Sequence, residues 1–229
     1  MNLAVITARG GSKRIPRKNI KNFCGKPIIA YSIEVALKSH CFDEVMVSTD
    51  DLEIAKIAQE YGACVPFMRS AETANDFATT ADVLLEVIDQ YQKKGVNPEF
   101  ICCLFPTAPF ITTHSLISGF RQLQENKNID TIFPIVRFSF PIQRALRLTN
   151  NQLTYFNPGC ALLRSQDLEP AYHDAGQFYW YRVQTCIKNK FSLNDRASGI
   201  ILSESQAQDI DNDDDWILAE MKYRNSQTQ

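Results

Sequence analysis

The chain has 229 residues, a net charge of -2, and 45% hydrophobic and 22% charged residues, which is the composition of a globular protein long enough for one sizeable core. No apolar run approaches the ~20 residues of a membrane span, and the four apolar residues Leu3 to Ile6 are too few for the core of a signal peptide. Seven cysteines, odd in number and without a C-x-x-C pair, read as reduced thiols of a cytoplasmic protein, with neither nucleic acid nor membrane among its expected partners.

Leu3 to Ile6 reads as a buried strand running straight into a basic turn, Thr7 to Asn19. Arg9, Lys13, Arg14, Arg17, Lys18, Lys21 and Lys26 all precede the first acidic residue, Glu34. A basic turn with two glycines describes many solvated surfaces. Its place at the carboxyl end of a first strand is what points to a ligand. Gly10 and Gly11 are expected at positive φ, with successive N–H groups forming a concavity for polyphosphate. The spacing fits neither Gly-x-Gly-x-x-Gly nor a Walker loop.

Pro27 suits the first position of a helix in which Ile29, Ile33, Ala36 and Leu37 recur at helical spacing. Val45 to Thr49 reads as the next strand, and Asp50 with Glu53 as a capping box for a helix burying Ile54, Ile57, Ala58 and Tyr61. A helix through Leu84, Ile88 and Tyr91, the strand Phe100 to Phe105, a helix through Leu116, Phe120 and Leu123, and the strand Thr131 to Val136 follow. Alternation of this kind predicts an α/β fold: one Rossmann-like three-layer sandwich over residues 1–229, with a mostly parallel sheet.

From Arg137 to about Gln166 the alternation fails, and extended, aromatic-bearing segments predict a protein–protein contact. Near the end, Asp209 and Asp211 present two carboxylates to one side of an extended segment while Ile210 faces inward, a pattern that suits Mg²⁺. Asp213, Asp214 and Asp215 read as acids in the first turn of a helix through Trp216, Ala219 and Tyr223.

Ala8-Arg9-Gly10-Gly11-Ser12-Lys13, with Pro16, Lys18 and Asn19, resembles the signature loop of the acylneuraminate cytidylyltransferases, which activate nine-carbon α-keto sugar acids as CMP-sugars. Ser165 to Leu168 and Tyr172 to Trp180 resemble the branch specific for pseudaminic acid. The resemblance extends along nearly the whole chain and implies a fold of the nucleotide-diphospho-sugar transferase type. It implies CTP as donor, with Arg9, Ser12, Lys13 and Lys18 on the triphosphate, and Ala8, Gly10, Gly11, Asn19 and Thr80 around the nucleotide. Catalytic roles fall to Arg9, Lys18 and Asp211, with Mg²⁺ on Asp209 and Asp211.

The same resemblance implies a homodimer through residues 137–166, with Gln143 and Arg144 meeting substrate. Asp174 and Gln177 would bond the sugar, Gly176 would allow close approach, and Phe178, Tyr179 or Trp180 would line an apolar wall, while alternation of the aromatics packs at least two of the three into the core. The chain departs from the sialic-acid pattern at Phe105, Ala108, Phe110 and Ile111, which argues for a less polar sugar. A glycosyltransferase of similar architecture and a non-catalytic nucleotide-binding protein are the other classes considered, and no residue is assigned as general base.

Overall fold

Strand β1 (Asn2–Thr7) is buried along its middle, with Ala4 and Ile6 in one core and Leu3 and Val5 in another, the period-two alternation of a pleated strand covered on both faces. In the computed structural model, which describes residues 1–227, the basic loop after β1 is closed by a two-residue ladder, β2 (Asn22–Phe23) with β3 (Lys26–Pro27). Next come α1 (Ile28–Ser39), β4 (Glu44–Ser48), α2 (Leu52–Glu60), α3 (Ala71–Ala74), α4 (Thr80–Lys93), β5 (Phe100–Leu104), α5 (Thr113–Glu125) and β6 (Thr131–Arg137).

A hairpin of β7 (Leu146–Thr149) and β8 (Gln152–Tyr155) precedes β9 (Tyr172–Asp174) and β10 (Phe178–Arg182). The chain continues through α6 (Val183–Cys186) and β11 (Ala197–Leu202) to α7 (Asp213–Ser226). The main sheet runs β11-β6-β10-β5-β1-β4, with β9 also paired to β6. β10 is antiparallel to both neighbours, and the β1, β4, β5 and β6–β11 pairings are parallel.

On one face Ile29 and Ile33 of α1, Ile54 and Ala58 of α2, and Leu116 and Leu123 of α5 pack on the sheet. On the other, Leu84, Val87 and Ile88 of α4 pack with Val183 and Cys186 of α6. The α/β sandwich expected from the alternation is therefore observed. A third cluster lies beyond the sheet: Ile210, just ahead of α7, and Trp216 and Ala219 in its first turns pack with Ile15, Phe23, Ile28 and Tyr31. Phe23 is its hub, meeting Tyr31, Trp216 and Tyr223 edge to face.

Several local expectations shift. Asp51, not Asp50, caps α2, accepting from Glu53 N and Ile54 N at 3.0 Å each. Pro27 stands one residue before α1 as its cap, and Leu37 is exposed. Gly10 and Gly11 have no positive φ; Arg17 supplies the loop's left-handed residue. Gly10 is needed for space, because a Cβ there would sit 2.8 Å from Asp51 Oδ2.

The stretch Tyr172 to Trp180 holds β9 and the first half of β10. Gly176, at φ 62° and with nothing near a would-be Cβ, bends the chain between β9 and β10, so positive φ rather than close approach explains it. The segment between β6 and β9 projects as an arm whose hairpin pairs with no other strand and is exposed at all eight strand residues. Asn150 and Asn151, both at positive φ, make its turn, a hairpin signal that the sequence does carry.

Candidate active site

The ends of β1 and β5 open a cleft of about 430 Å³, with Arg9, Ser12, Lys13, Arg14, Lys18 and Asn19 on one wall and Phe105, Pro106 and Thr107 on the other. Phe105 also lines a second cleft, of about 510 Å³, with Asp174, Gly176, Tyr179, Asp209 and Lys222. Its placement follows from the sheet: Phe105 N donates to Gln177 O at 2.9 Å just past the end of β5, and the Phe105 and Tyr179 rings lie 5.5 Å apart. The two clefts thus share a wall.

Burial of Ile210 in the third cluster brings the C-terminal acids to the basic loop. Lys18 Nζ donates to Ile210 O at 2.7 Å and lies 3.8 Å from Asp211 Oδ1, which Arg14 also contacts at 2.7 Å. The Lys18 side chain is only 18% exposed, and burial holds its ammonium below the ordinary lysine range against the opposing pull of Asp211. The Asp211 backbone is fixed in turn, its N–H donating to Asp215 Oδ2 at 2.9 Å within the capping box of α7.

The basic loop is not an open cationic patch. Arg9 and Lys13 both bond Asp76, Arg17 bonds Asp51 and Glu53, Lys21 pairs with Asp213, and Lys26 with Glu34. The expected N–H concavity is altered as well, because Gly10 N donates to Asp50 Oδ1 at 2.8 Å. Asn19, buried, spends its side-chain N–H on Arg9 O at 2.9 Å, and Ala8 is buried with its N–H on Ser48 O. Gly11 is exposed, and Thr80 opens α4 without lining either cleft.

On the sugar side the expectations divide. Asp174 lines the second cleft, its carboxylate held by Gly176 N at 2.8 Å and by the Tyr179 hydroxyl. Gln177 is 2% exposed and lines neither cleft; its amide N–H goes to Gln206 O at 2.6 Å. Its side chain is held to Gln206 and its carbonyl to Phe105 N, so it braces the cleft rather than facing a ligand. Phe178 and Trp180 pack in the core and Tyr179 faces the cleft. Of the positions that depart from the sialic-acid pattern only Phe105 lines the two clefts, because Ala108 and Ile111 are buried in the core. Gln143 donates to Glu169 O and Arg144 to Ser165 Oγ on the arm, so a single chain does not bring them to Asp174.

Tyr179 lies in the Tyr172 to Trp180 stretch singled out above, whereas Asp76 and Lys222 join the site without a legible motif. Each acts through a long-range contact, and the only sequence clue to Asp76 is an acid in a turn ahead of α4.

Asp209 and Asp211 are oxygen donors only, and no cluster of three or more His, Cys, Asp or Glu occurs among the described residues. A cation held there completes its shell with water and phosphate, the habit of Mg²⁺ and not of zinc. No described helix is long and apolar enough to cross a membrane, and all seven cysteines are free.

The cytidylyltransferase family profile matches residues 3–198. Pseudaminic acid cytidylyltransferase of Campylobacter jejuni subsp. jejuni is 41% identical over 224 residues, spanning 97% of this chain and 96% of that protein. CMP-N,N'-diacetyllegionaminic acid synthase of Legionella pneumophila subsp. pneumophila is 33% identical over 227 residues, 95% of this chain and 94% of that protein. Among solved structures, CMP:2-keto-3-deoxy-manno-octonic acid synthetase complexed with CTP shares the fold, with a TM-score of 0.70 at 20% identity over 100% of this chain and 99% of that one. The chain belongs to the cytidylyltransferase family.

Proposed function

We propose that this chain transfers CMP from CTP to the anomeric hydroxyl of pseudaminic acid, releasing pyrophosphate. The observation that carries the reading is the shared wall at Phe105. A phosphate-sized cationic cleft and a sugar-sized cleft meet there, with Asp209 lining the second and Asp211 paired to Arg14 and Lys18 of the first. The 41% identical Campylobacter relative supports pseudaminic acid as the acceptor.

In the reaction the anomeric hydroxyl gives up its proton to solvent, its oxygen bonds the α-phosphorus, and the bond from the α-phosphorus to the bridging oxygen breaks as pyrophosphate leaves, so the protein's task is positioning and charge neutralisation. Arg9, Ser12 and Lys13 take the outer phosphates. Lys18, already desolvated and fixed on Ile210 O, offers its remaining N–H groups to charge that develops near the α-phosphate. Asn19, which lines the first cleft, and the exposed Gly11 beside it take the cytidine side of the nucleotide. Asp209 and Asp211 would hold Mg²⁺, which neutralises phosphate charge and polarises the α-phosphorus when bound. Asp174, acceptor-only and fixed by Tyr179 and Gly176, receives an amide N–H of the sugar.

The arm supports a homodimer. An isolated two-stranded hairpin is marginal in water, and this one exposes Leu146, Leu148, Leu153 and Tyr155 beside Phe140 and Phe156. A second copy covering it would bring Gln143 and Arg144 within reach of the neighbouring sugar cleft. The use of CTP fits a cytoplasmic location.

The test is pyrophosphate release from CTP with Mg²⁺ and purified sugar acids. The reading expects turnover with pseudaminic acid above that with N,N'-diacetyllegionaminic and N-acetylneuraminic acids, from a dimer in sedimentation. Equal use of ATP and GTP, or preference for N-acetylneuraminic acid, overturns it.

A further inference from the structure

The second cleft is rich in acids, with Asp174, Asp209 and Glu204 among its lining residues. A sugar acid brings a further carboxylate, which such a wall repels unless a cation receives it. Lys222, on α7, is the only lysine or arginine lining this cleft. Its Nζ donates to Glu204 O at 3.2 Å and to Ala207 O at 3.0 Å, which uses two of its three N–H groups. Both partners are backbone carbonyls, so the ammonium charge is met by no carboxylate among the described residues, whereas the basic-loop cations Arg9, Lys13, Arg14 and Arg17 are all ion-paired. The carbonyl pair also immobilises the flexible stem before any ligand arrives, which lowers the ordering cost of binding.

We propose that Lys222 is the seat of the substrate's carboxylate, its third N–H donated to a carboxylate oxygen. The assignment rests on the sugar-acid reading above and deepens it. In an α-keto sugar acid ring the carboxylate and the reacting hydroxyl share the anomeric carbon. Lys222 is bonded to Ala207, two residues before Asp209. A carboxylate held there turns the anomeric hydroxyl toward the Asp209–Asp211 segment and leaves the substituted ring carbons to Asp174 and Tyr179. Lys222 is thus a selector for acids over neutral sugars, acting on binding and orientation.

Two other accounts are open to the same experiment. One makes Lys222 only a clamp of α7 on the 204–207 turn, and the other has Arg144 of a second copy supply the cation. The test compares kcat/KM for pseudaminic acid and its neutral C1 carboxamide in the wild type, Lys222→Gln, Lys222→Arg and Arg144→Met, with melting temperatures alongside. Gln keeps N–H groups for the carbonyls and removes the charge. The wild type should favour the acid by roughly 10- to 100-fold, the range of a charge-assisted hydrogen bond. Lys222→Gln should bring the two within a few-fold by lowering the acid alone, with KM for CTP unchanged, and Lys222→Arg should retain the preference.

Equal losses on acid and carboxamide in Lys222→Gln would reduce the residue to a clamp and overturn the seat. So would disappearance of the preference in Arg144→Met while Lys222→Gln keeps it. A wild type that releases no pyrophosphate with any sugar acid overturns the reaction itself and the seat with it. An active wild type with an unchanged preference in Lys222→Gln overturns the seat alone.

Discussion

Lys18 Nζ donates to the carbonyl of Ile210 at 2.7 Å, across 192 residues of chain. One half-buried ammonium therefore ties the loop at the carboxyl end of β1 to the acidic segment ahead of α7. Lys18→Met removes both the tie and a preorganised donor to phosphate, a loss of about 2.7–4 kcal/mol of transition-state stabilisation where such a donor is deleted. The expected result is a fall in kcat of roughly 10²-fold or more with CTP, and Arg9→Ala should fall in the same range. Burial holds the Lys18 ammonium below the ordinary lysine range. Activity that needs this charge should decline on the alkaline side at a lower pH than an exposed lysine would give. Wild-type turnover in either variant would show the loop to be a solvated surface.

Asp211 is the acid that Arg14 and Lys18 share, and its backbone is locked by Asp215. Asp211→Asn keeps the side-chain volume and removes the charge. Activity should drop sharply and the Mg²⁺ concentration for half-maximal rate should rise, with the circular dichroism spectrum unchanged. An unaltered Mg²⁺ requirement in a folded Asp211→Asn protein would move the metal to other residues.

Asp76 holds Arg9 and Lys13 together, one carboxylate placed where a phosphate would make the same bonds. These cations hold its carboxyl below the usual carboxylate range. A triphosphate has to displace it. Asp76→Asn should therefore lower KM for CTP a few-fold and steepen its dependence on salt, since freed cations gain more from the nucleotide's charge. An increased KM would show that Asp76 orders the loop for the nucleotide instead of competing with it.

Asp51 caps α2 and receives Arg17, which, with the two backbone N–H groups of the cap, holds its carboxyl down at about 2. A carboxyl depressed in the folded state contributes stability that is fully present above its unfolded value of about 3.9 and is lost as pH falls through the folded value. Asp51→Ala should lower the melting temperature at pH 7, by an amount corresponding to a cap worth about 0.5–2 kcal/mol. The gap to wild type should shrink between pH 4 and pH 2. A gap that is constant across that range would assign the loss to packing instead of the charge.

Much of the fold was legible from short-range pattern. Short continuous apolar runs mark β1 and β5, helical spacing marks α1, α4 and α5, and acids ahead of Trp216 mark the start of α7, because such patterns and end chemistry act within a few residues. Inward Ile210 between two outward acids was readable for the same reason. The hairpin of the arm carried its Asn150-Asn151 signal, but its strands are too short and too exposed for alternation to stand out.

Burial and pairing were decided only when the chain closed. Sequence alone determined which residues could carry charge to a phosphate. Tertiary structure decided which acid each cation meets, pairing Arg9 with Asp76, Arg17 with Asp51 and Lys18 with Asp211, residues far apart in the chain. It also buried Gln177 by bonding its amide to Gln206 O, 29 residues on, while leaving Asp174 at the cleft, and insertion of β10 between β5 and β6 sets which face Phe178, Tyr179 and Trp180 take. Faces and partners of this kind depend on strand register, and register is fixed by contacts between segments far apart in the chain.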